Sequence, residues 1–335
     1  MSKETSVRKL AFARAAAKTP DAGTQDILDV ILSERPDLKG QPVYHPQYGA
    51  TSHTLIFENE VFKAPRNEYY LKYFDQEYAV LKLLKEAGLP VAEITHIGQA
   101  AHFFGQKRIH GIPMGGVYFG RLFDEEKELI AKDIAKFMHD VAKAGTPEKM
   151  RDIGKKNLMP QQGFLQAAME KESARIALGD KYEYICRAMT DYAATLPGRS
   201  PRLVHGDLSG GNILFDEHNS KLAGIIDFGN ALYTAPEYDF VCLFEYYQHS
   251  FVKMIAREYA ALSGEKPITE SDTCLYMIAG HFRKLEDKYQ AAKSDPTKKT
   301  EFDLHAQSLH AWIDRLEDSG YRLPVQKAPL PTFKP

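Results

Sequence analysis

The sequence predicts an α+β chain in two lobes: a small antiparallel sheet built around one helix, then a larger and mainly helical part. Three observations carry this. Residues 41–112 are rich in strand-like runs with a single helical stripe, residues 113–335 are dominated by helical periodicity, and a compact β-hairpin interrupts the helical part at 203–228. A chain of 335 residues also exceeds what one ordinary core organises.

The elements follow in order. Residues 1–40 form a polar N-terminal extension with one amphipathic signal, Ile27, Val30 and Ile31 with Leu28, stopped near Pro36. The runs YGATSHTLIFE and NEVFKAPR read as two strands turning at Glu58-Asn59-Glu60. Phe74, Tyr78, Leu81 and Leu84 recur at helical spacing, and Gly88 with Pro90 ends that helix. HFFGQKRIHG is a strand leaving the region. Beyond it, Ile130, Ile134, Phe137, Met138 and Val141 line one helix face. Helices are expected at 163–195, 238–262, 271–292 and 302–317, and the proline-rich tail PVQKAPLPTFKP is expected to be irregular.

Composition narrows the function classes. The chain is 44% apolar and 26% charged, as soluble globular proteins are. A net charge of −2 gives no basis for binding nucleic acid or an anionic membrane, and no apolar run is long enough to span one. Cys186, Cys242 and Cys274 form no CxxC pair, so neither a metal cluster nor a disulfide frame is implied, and a reduced, cytoplasmic setting is expected. The Arg/Ala-rich start MSKETSVRKLAFARAAAKT has no apolar signal core and reads as a surface helix or partly ordered arm.

The chemistry concentrates in LVHGDLSGGNILFDEHNSKLAGIIDFG, residues 203–229. Leu203-Val204 is an apolar run, and His205-Gly206-Asp207 leaves it for a loop. Ile213-Leu214-Phe215 and Leu222–Ile226 are the paired strands, with a turn at 216–220. Loops at strand ends are where a rigid scaffold presents polar groups. Asp207 can accept or align a hydroxyl proton. Asn212 offers a neutral oxygen and Asp227 a charged one, sufficient for Mg²⁺, which fills its shell with water and phosphate oxygens. Gly210-Gly211 lets the loop turn tightly and leaves room for a phosphate. These types at these spacings are what phosphoryl transfer from a nucleotide requires.

Two upstream residues complete the set. Lys63 ends the strand Glu60–Lys63. Glu77 shares the apolar helix face of Leu81 and Leu84, where a carboxylate needs a partner. Their pairing would aim the ammonium at phosphates. Gly49, Thr51 and Ser52 lie in a candidate phosphate loop, Gly49–Thr54, that would use backbone N–H groups and hydroxyls. His53 is expected to be exposed, and His205 to brace its loop.

With these residues in place, the chain resembles the aminoglycoside phosphotransferase and choline-kinase-like family, over about residues 44–290. VHGDLSGGNILFD with GIIDFGNA matches its paired signature. PEYDF, FGQKRIHGIPM and VFKAPR match its following segment, interlobe linker and lysine strand. The 2″-type aminoglycoside kinases look most similar, on GIIDFG and KRIHGIPM. The resemblance implies a protein-kinase-like fold, with residues 41–112 as a nucleotide-binding N-lobe and 113–335 as a catalytic and substrate-binding C-lobe. It implies Asp207 as catalytic base, Asn212 and Asp227 on Mg²⁺, and Lys63 on phosphates, held by Glu77. Lys107, Arg108 and Ile109 would meet the purine of ATP or GTP through their backbone. Two residues and one stretch depart from the pattern. Ser52 stands where Asn is common, and Asn230 follows Asp-Phe-Gly in place of a frequent acid. VCLFEYYQHSF is poorer in acids than its counterpart in 2″-type enzymes, leaving Glu237, Asp239 and Glu245 beside Tyr246, Tyr247 and His249. Of these, Glu237, Glu245 and Tyr246 are the substrate candidates, while Asp239 is also consistent with a structural role.

Six residues separate Gly229 from Pro236, too few for a protein kinase's activation segment, so a hydroxylated small molecule is the expected acceptor. Three readings stay open: an aminoglycoside-like phosphotransferase, a metabolic kinase for choline, sugar or amino-alcohol substrates, and a non-catalytic nucleotide-binding protein. The expected oligomeric state is monomer or homodimer.

Overall fold

The computed structural model describes residues 22–46 and 51–322. The elements run in this order. Helix α1 (Ala22–Glu34) is followed by β1 (Ser52–Ile56), β2 (Glu60–Pro65), helix α2 (Glu68–Glu86), β3 (Ile94–Ile97) and β4 (Phe104–Lys107). Next come the short β5 (Ile112–Pro113), α3 (Gly116–Phe119), the long α4 (Asp124–Ala144) and α5 (Pro147–Asp152). Helices α6 (Gln162–Met169), α7 (Glu172–Leu178) and α8 (Tyr182–Thr195) lead to β6 (Arg202–Val204), β7 (Ile213–Asp216), β8 (Lys221–Ile225) and β9 (Leu232–Thr234). The chain closes with α9 (Glu237–Tyr246), α10 (His249–Ser263), α11 (Glu270–Ser294) and α12 (Lys299–Asp318). The α+β class expected from the sequence is what the chain adopts: a small antiparallel sheet and a helical majority.

Two compact units divide the chain. Among the described residues, the first holds 22–46, 51–133, 144–155 and 209–231, and the second holds 134–143, 156–208 and 232–322. The β7–β8 hairpin thus packs with the N-terminal strands.

In the first unit, four antiparallel strands run β1-β2-β4-β3. Alternation along β2 places Phe62 and Ala64 in a core with Leu55, Phe57 and Phe103. Helix α1 closes that core: Ile31 is fully buried, and Leu28 and Leu38 join the same cluster. Arg35, just past α1, pairs with Glu60 of β2 at 2.7 Å, and Glu34 accepts from His96 of β3 at 2.8 Å. The amphipathic stripe read at Ile27, Leu28, Val30 and Ile31 therefore belongs to the sheet's own core. Strand β3 has no counterpart among the elements read from the sequence. A separate three-stranded sheet, β5-β7-β8, pairs Ile213 with Ile225 across the hairpin, and Asp216 accepts from the His218 and Asn219 N–H groups to form the expected turn.

In the second unit, one apolar cluster joins α6–α8, α11 and α12. The single span expected at 163–195 is three helices, with Gly179 in a left-handed conformation (φ +55°) between the second and third. The span 238–262 is two, broken where Tyr247 turns extended. Strand β6 pairs with β9 and not with the hairpin, which corrects the reading of Leu203-Val204 as part of that ribbon. The tail from residue 323 lies outside the described residues.

One half-buried pair in this unit makes stability pH-dependent. The rings of His281 (α11) and His305 (α12) lie 4.6 Å apart. His281 Nδ1 has no hydrogen-bond partner, and burial, with His305 and Lys284 adding to it, lowers the imidazole to about 4. Unfolding restores the ordinary value of about 6.5, so the unfolded chain takes up a proton that the folded one refuses as the pH falls through that window. Stability is therefore lost on acidification, by about 1–2 kcal/mol after allowing for the partial exposure of the site. His281→Leu is expected to show a melting-temperature drop between about pH 7.5 and about pH 5 that is a few degrees smaller than wild type's. An equal drop in both proteins would dismiss this pair as the cause.

Candidate active site

The first unit gathers four of the residues singled out in the sequence. Phe62 and Ala64 face the α1 side of the sheet, so Lys63 faces the other. There α2 presents Glu77 on the same buried face as Phe74, Leu81 and Leu84. Lys63 Nζ donates to Glu77 Oε1 at 2.5 Å and to Asp227 Oδ1 at 3.0 Å. Lys63 and Glu77 are 7% and 4% exposed, whereas the Asp227 side chain is about half exposed, so the triad is anchored on one side and open on the other. Burial opposes charge on Lys63, but Glu77 and then Asp227 outweigh it and hold the ammonium above its ordinary range. The ammonium is therefore permanently charged at neutral pH.

The hairpin positions both metal candidates. Asn212 immediately precedes β7, and its carbonyl accepts from the Ile226 N–H at 3.0 Å. Asp227 follows Ile226, so the two side chains start from adjoining positions at the open end of the ribbon. Asp227 adopts a left-handed backbone (φ +68°), uncommon outside Gly although Asp tolerates it better than most, and such residues cluster at functional sites. A neutral amide oxygen and a carboxylate are hard donors that suit Mg²⁺. Gly210 is needed for a close approach: a Cβ there would sit 2.8 Å from the Met114 carbonyl oxygen.

Thr51, Ser52, Glu77, Gly229 and Asn230 share the lining of one cavity of about 300 Å³, walled by aromatic side chains of α2. Gly49 lies outside the described residues. His53 is half-buried and bonded to Thr24 at 2.8 Å, not simply exposed as expected. Two linker N–H groups are already engaged. The Lys107 N–H donates to the Glu93 carbonyl and the Arg108 N–H to the Asn59 carbonyl, each at 2.8 Å, so neither N–H is available to a purine. The Ile109 side chain packs against Gly224 of the hairpin.

In the second unit, β6 delivers the loop that carries Asp207. The buried carboxylate of Asp239 takes the His205 N–H on one oxygen (3.0 Å) and the Gly206 N–H on the other (2.7 Å). The Asp207 N–H donates to His205 Nδ1 at 3.1 Å, which assigns the ring proton of neutral His205 to Nε2. His205 braces the loop, and Asp239 clamps it. Burial raises Asp239 to about 6 against the pull of the two N–H groups. Asp239→Ala is expected to strand two buried N–H groups, at about 1–3 kcal/mol each, and to lower turnover through the misplaced Asp207. A variant with wild-type melting temperature and turnover would remove Asp239 from this role. The sequence marks Asp239 only by its place in PEYDF; nothing local announces a clamp on a loop over thirty residues earlier.

The substrate candidates fare differently. Glu237 is 3% exposed and Arg199 donates to its Oε1, which holds the carboxylate inside the unit, while its Oε2 is buried without a hydrogen-bond partner. Glu245 lies 3.8 Å from Arg315, and Tyr246 is 58% exposed.

A carboxylate-held lysine on a small antiparallel sheet, a hairpin ending in Asn212 and Asp227, and a clamped Asp207 loop define a kinase-like phosphotransferase, an enzyme acting on small molecules. The profile of the phosphotransferase enzyme family matches residues 50–271, more than half of the chain, and the chain belongs to that family. Among solved structures, it is similar to the GDP complex of wild-type aminoglycoside 2′-phosphotransferase-IIIa, with 21% identity, a TM-score of 0.61, and 88% of this chain and 99% of that one covered. It is similar to the streptomycin–ATP–APH(2″)-IIa ternary complex, with 20% identity, a TM-score of 0.57, and 82% and 95% covered. It also resembles the apoenzyme of macrolide 2′-phosphotransferase MphH from Brachybacterium faecium, with 15% identity, a TM-score of 0.59, and 83% and 98% covered. At these identities the likeness establishes the fold that the chain shares with them.

Proposed function

We propose that this enzyme transfers the γ-phosphoryl group of ATP or GTP to a hydroxyl of a small molecule, with Mg²⁺. The observation that carries the reading is the Lys63–Glu77–Asp227 triad, which joins a fixed cation to an open carboxylate in the unit that also bears Asn212. Lys63 contacts the phosphates, oriented by Glu77. Asn212 and Asp227 hold Mg²⁺. When bound, the ion supplies neutralisation of charge on the transferred phosphoryl group. Asp207 aligns the acceptor hydroxyl and takes its proton as the oxygen attacks the γ-phosphorus and the nucleoside diphosphate leaves. Residues 41–112 serve the nucleotide, Thr51 and Ser52 near its phosphates and Ile109 near its base; residues 113–335 supply catalysis and the acceptor. No described helix is long and apolar enough to cross a membrane. A cytoplasmic monomer or homodimer without nucleic-acid or membrane partners completes the reading.

A specific observation favours one class of acceptor. Similar solved structures are complexes with streptomycin, gentamicin and kanamycin, and a polycation of that kind needs carboxylates to receive it. In the 237–245 stretch, Glu237 serves Arg199, Asp239 serves two backbone N–H groups, and Glu245 lies beside Arg315. Two of these three acids are buried, and only Glu245, 43% exposed, is left at the surface, which favours a less cationic hydroxylated acceptor, of metabolite or macrolide type, over an aminoglycoside.

Melting curves with ATP or GTP test the first reading: an Mg²⁺-dependent rise of a few degrees is expected at about a hundredfold excess over the dissociation constant. Absence of any shift with either nucleotide, with or without the ion, would defeat it. A panel of aminoglycosides, macrolides, sugars and amino alcohols, read by coupled detection of ADP or GDP, separates the acceptors. Turnover confined to aminoglycosides would overturn the second reading.

A further inference from the structure

Asp227 has to keep its left-handed backbone, a conformation that costs about 1–3 kcal/mol and persists only where surrounding contacts over-determine it. Part of that determination is plain: Phe228 is fully buried, and the Ala231 N–H closes a 3₁₀ turn over Phe228–Asn230 onto the Phe228 carbonyl at 3.0 Å. One contact comes from a segment that no motif marks. Lys155 donates from Nζ to the carbonyl of Ala231, at the C-terminal end of that turn, where a cation is favoured. Its own segment is fixed twice. The Lys155 N–H bonds the carbonyl of Met150, a fully buried residue of α5, and the neighbouring Gly154 carbonyl accepts from Gln76 of α2 at 3.1 Å. Residues 150–155 thus strap the helix that bears Glu77 to the turn that follows Asp227, all within the first unit. Burial draws the ammonium down to about 8 while the nearby Glu77 opposes it, so at neutral pH Lys155 remains a charged donor.

We propose that Lys155 is a positioning residue: by holding the Ala231 carbonyl it fixes the turn that aims the Asp227 carboxylate at the metal. This rests on Asp227 being a metal ligand, as argued above.

The test titrates Mg²⁺ into full-length protein saturated with ATP or GTP and reads the melting temperature, alongside nucleotide affinity in the absence of metal. Outer-shell partners of metal ligands are typically worth ten- to a hundredfold in metal affinity, and Lys155 acts one step further out, so the Mg²⁺ midpoint of Lys155→Met is expected to rise about tenfold. Metal-free nucleotide affinity is expected to stay within about twofold of wild type, and Lys155→Arg, which keeps charge and donors, to restore most of the midpoint. Should Lys155→Met fail to fold, Lys155→Gln is measured in its place. An unchanged midpoint, or an equal loss of nucleotide affinity with and without the ion, overturns the proposal. Wild-type protein with no Mg²⁺-dependent shift would instead defeat the nucleotide reading, a distinguishable failure.

Discussion

Asp207→Asn is expected to lose phosphoryl transfer by about 10²–10⁴-fold, the usual contribution of a positioned general base. The amide keeps the shape of the side chain and loses the carboxylate that receives the proton. The loop itself should survive, because its scaffold is made by Asp239 on the His205 and Gly206 N–H groups and by His205 on the Asp207 N–H. Nucleotide affinity should stay within about twofold of wild type, since Lys63, Asn212 and Asp227 all belong to the other compact unit. Steady-state kinetics with an acceptor from the panel, together with calorimetric titration of the nucleotide, checks both halves. Turnover within about tenfold of wild type would remove Asp207 from the reacting position.

Lys63→Met is expected to destabilise the protein by about 3–5 kcal/mol, because it leaves the Glu77 carboxylate buried without its cation. Glu77 is 4% exposed, so water cannot replace the lost partner. The double variant Lys63→Met/Glu77→Leu should recover most of that stability, as an apolar pair of similar volume removes both desolvation penalties. Both variants should lose the nucleotide-induced shift, since neither retains the ammonium. Denaturant unfolding separates the two effects. If the single variant is as stable as wild type, or the double is less stable than the single, Lys63 and Glu77 are not the coupled pair that their 2.5 Å contact implies.

Local features were legible where a short stretch of chain contains its own reason. The β7–β8 turn is made by Asp216 on N–H groups two and three residues later, and the α2 stripe by residues one turn apart. Glu77 could be read as needing a partner because its helix face was otherwise apolar. Features that depend on pairing at a distance were read less well. Leu203-Val204 is apolar enough for either the hairpin or β9, and only β9 takes it. Glu237 looks like an available acid in PEYDF, yet burial and Arg199 claim it. The linker backbone was assigned to a purine by resemblance, and nothing local in the sequence signals that Glu93 and Asn59 accept from the Lys107 and Arg108 N–H groups.

The order of residues alone therefore settled which groups are present and in what spacing: Asp207, Asn212 and Asp227 within a single loop-and-hairpin stretch, with a lysine strand upstream. Spacing is legible because strand and helix periods are set by local backbone geometry. Which of these groups meet is a different matter. Lys63 and Asp227 are 164 positions apart, and no periodicity relates them. Their contact, the Asp239 clamp and the Lys155 tie exist because burial makes an unpartnered polar group costly, and the partner that relieves it is set by packing rather than by nearness along the chain.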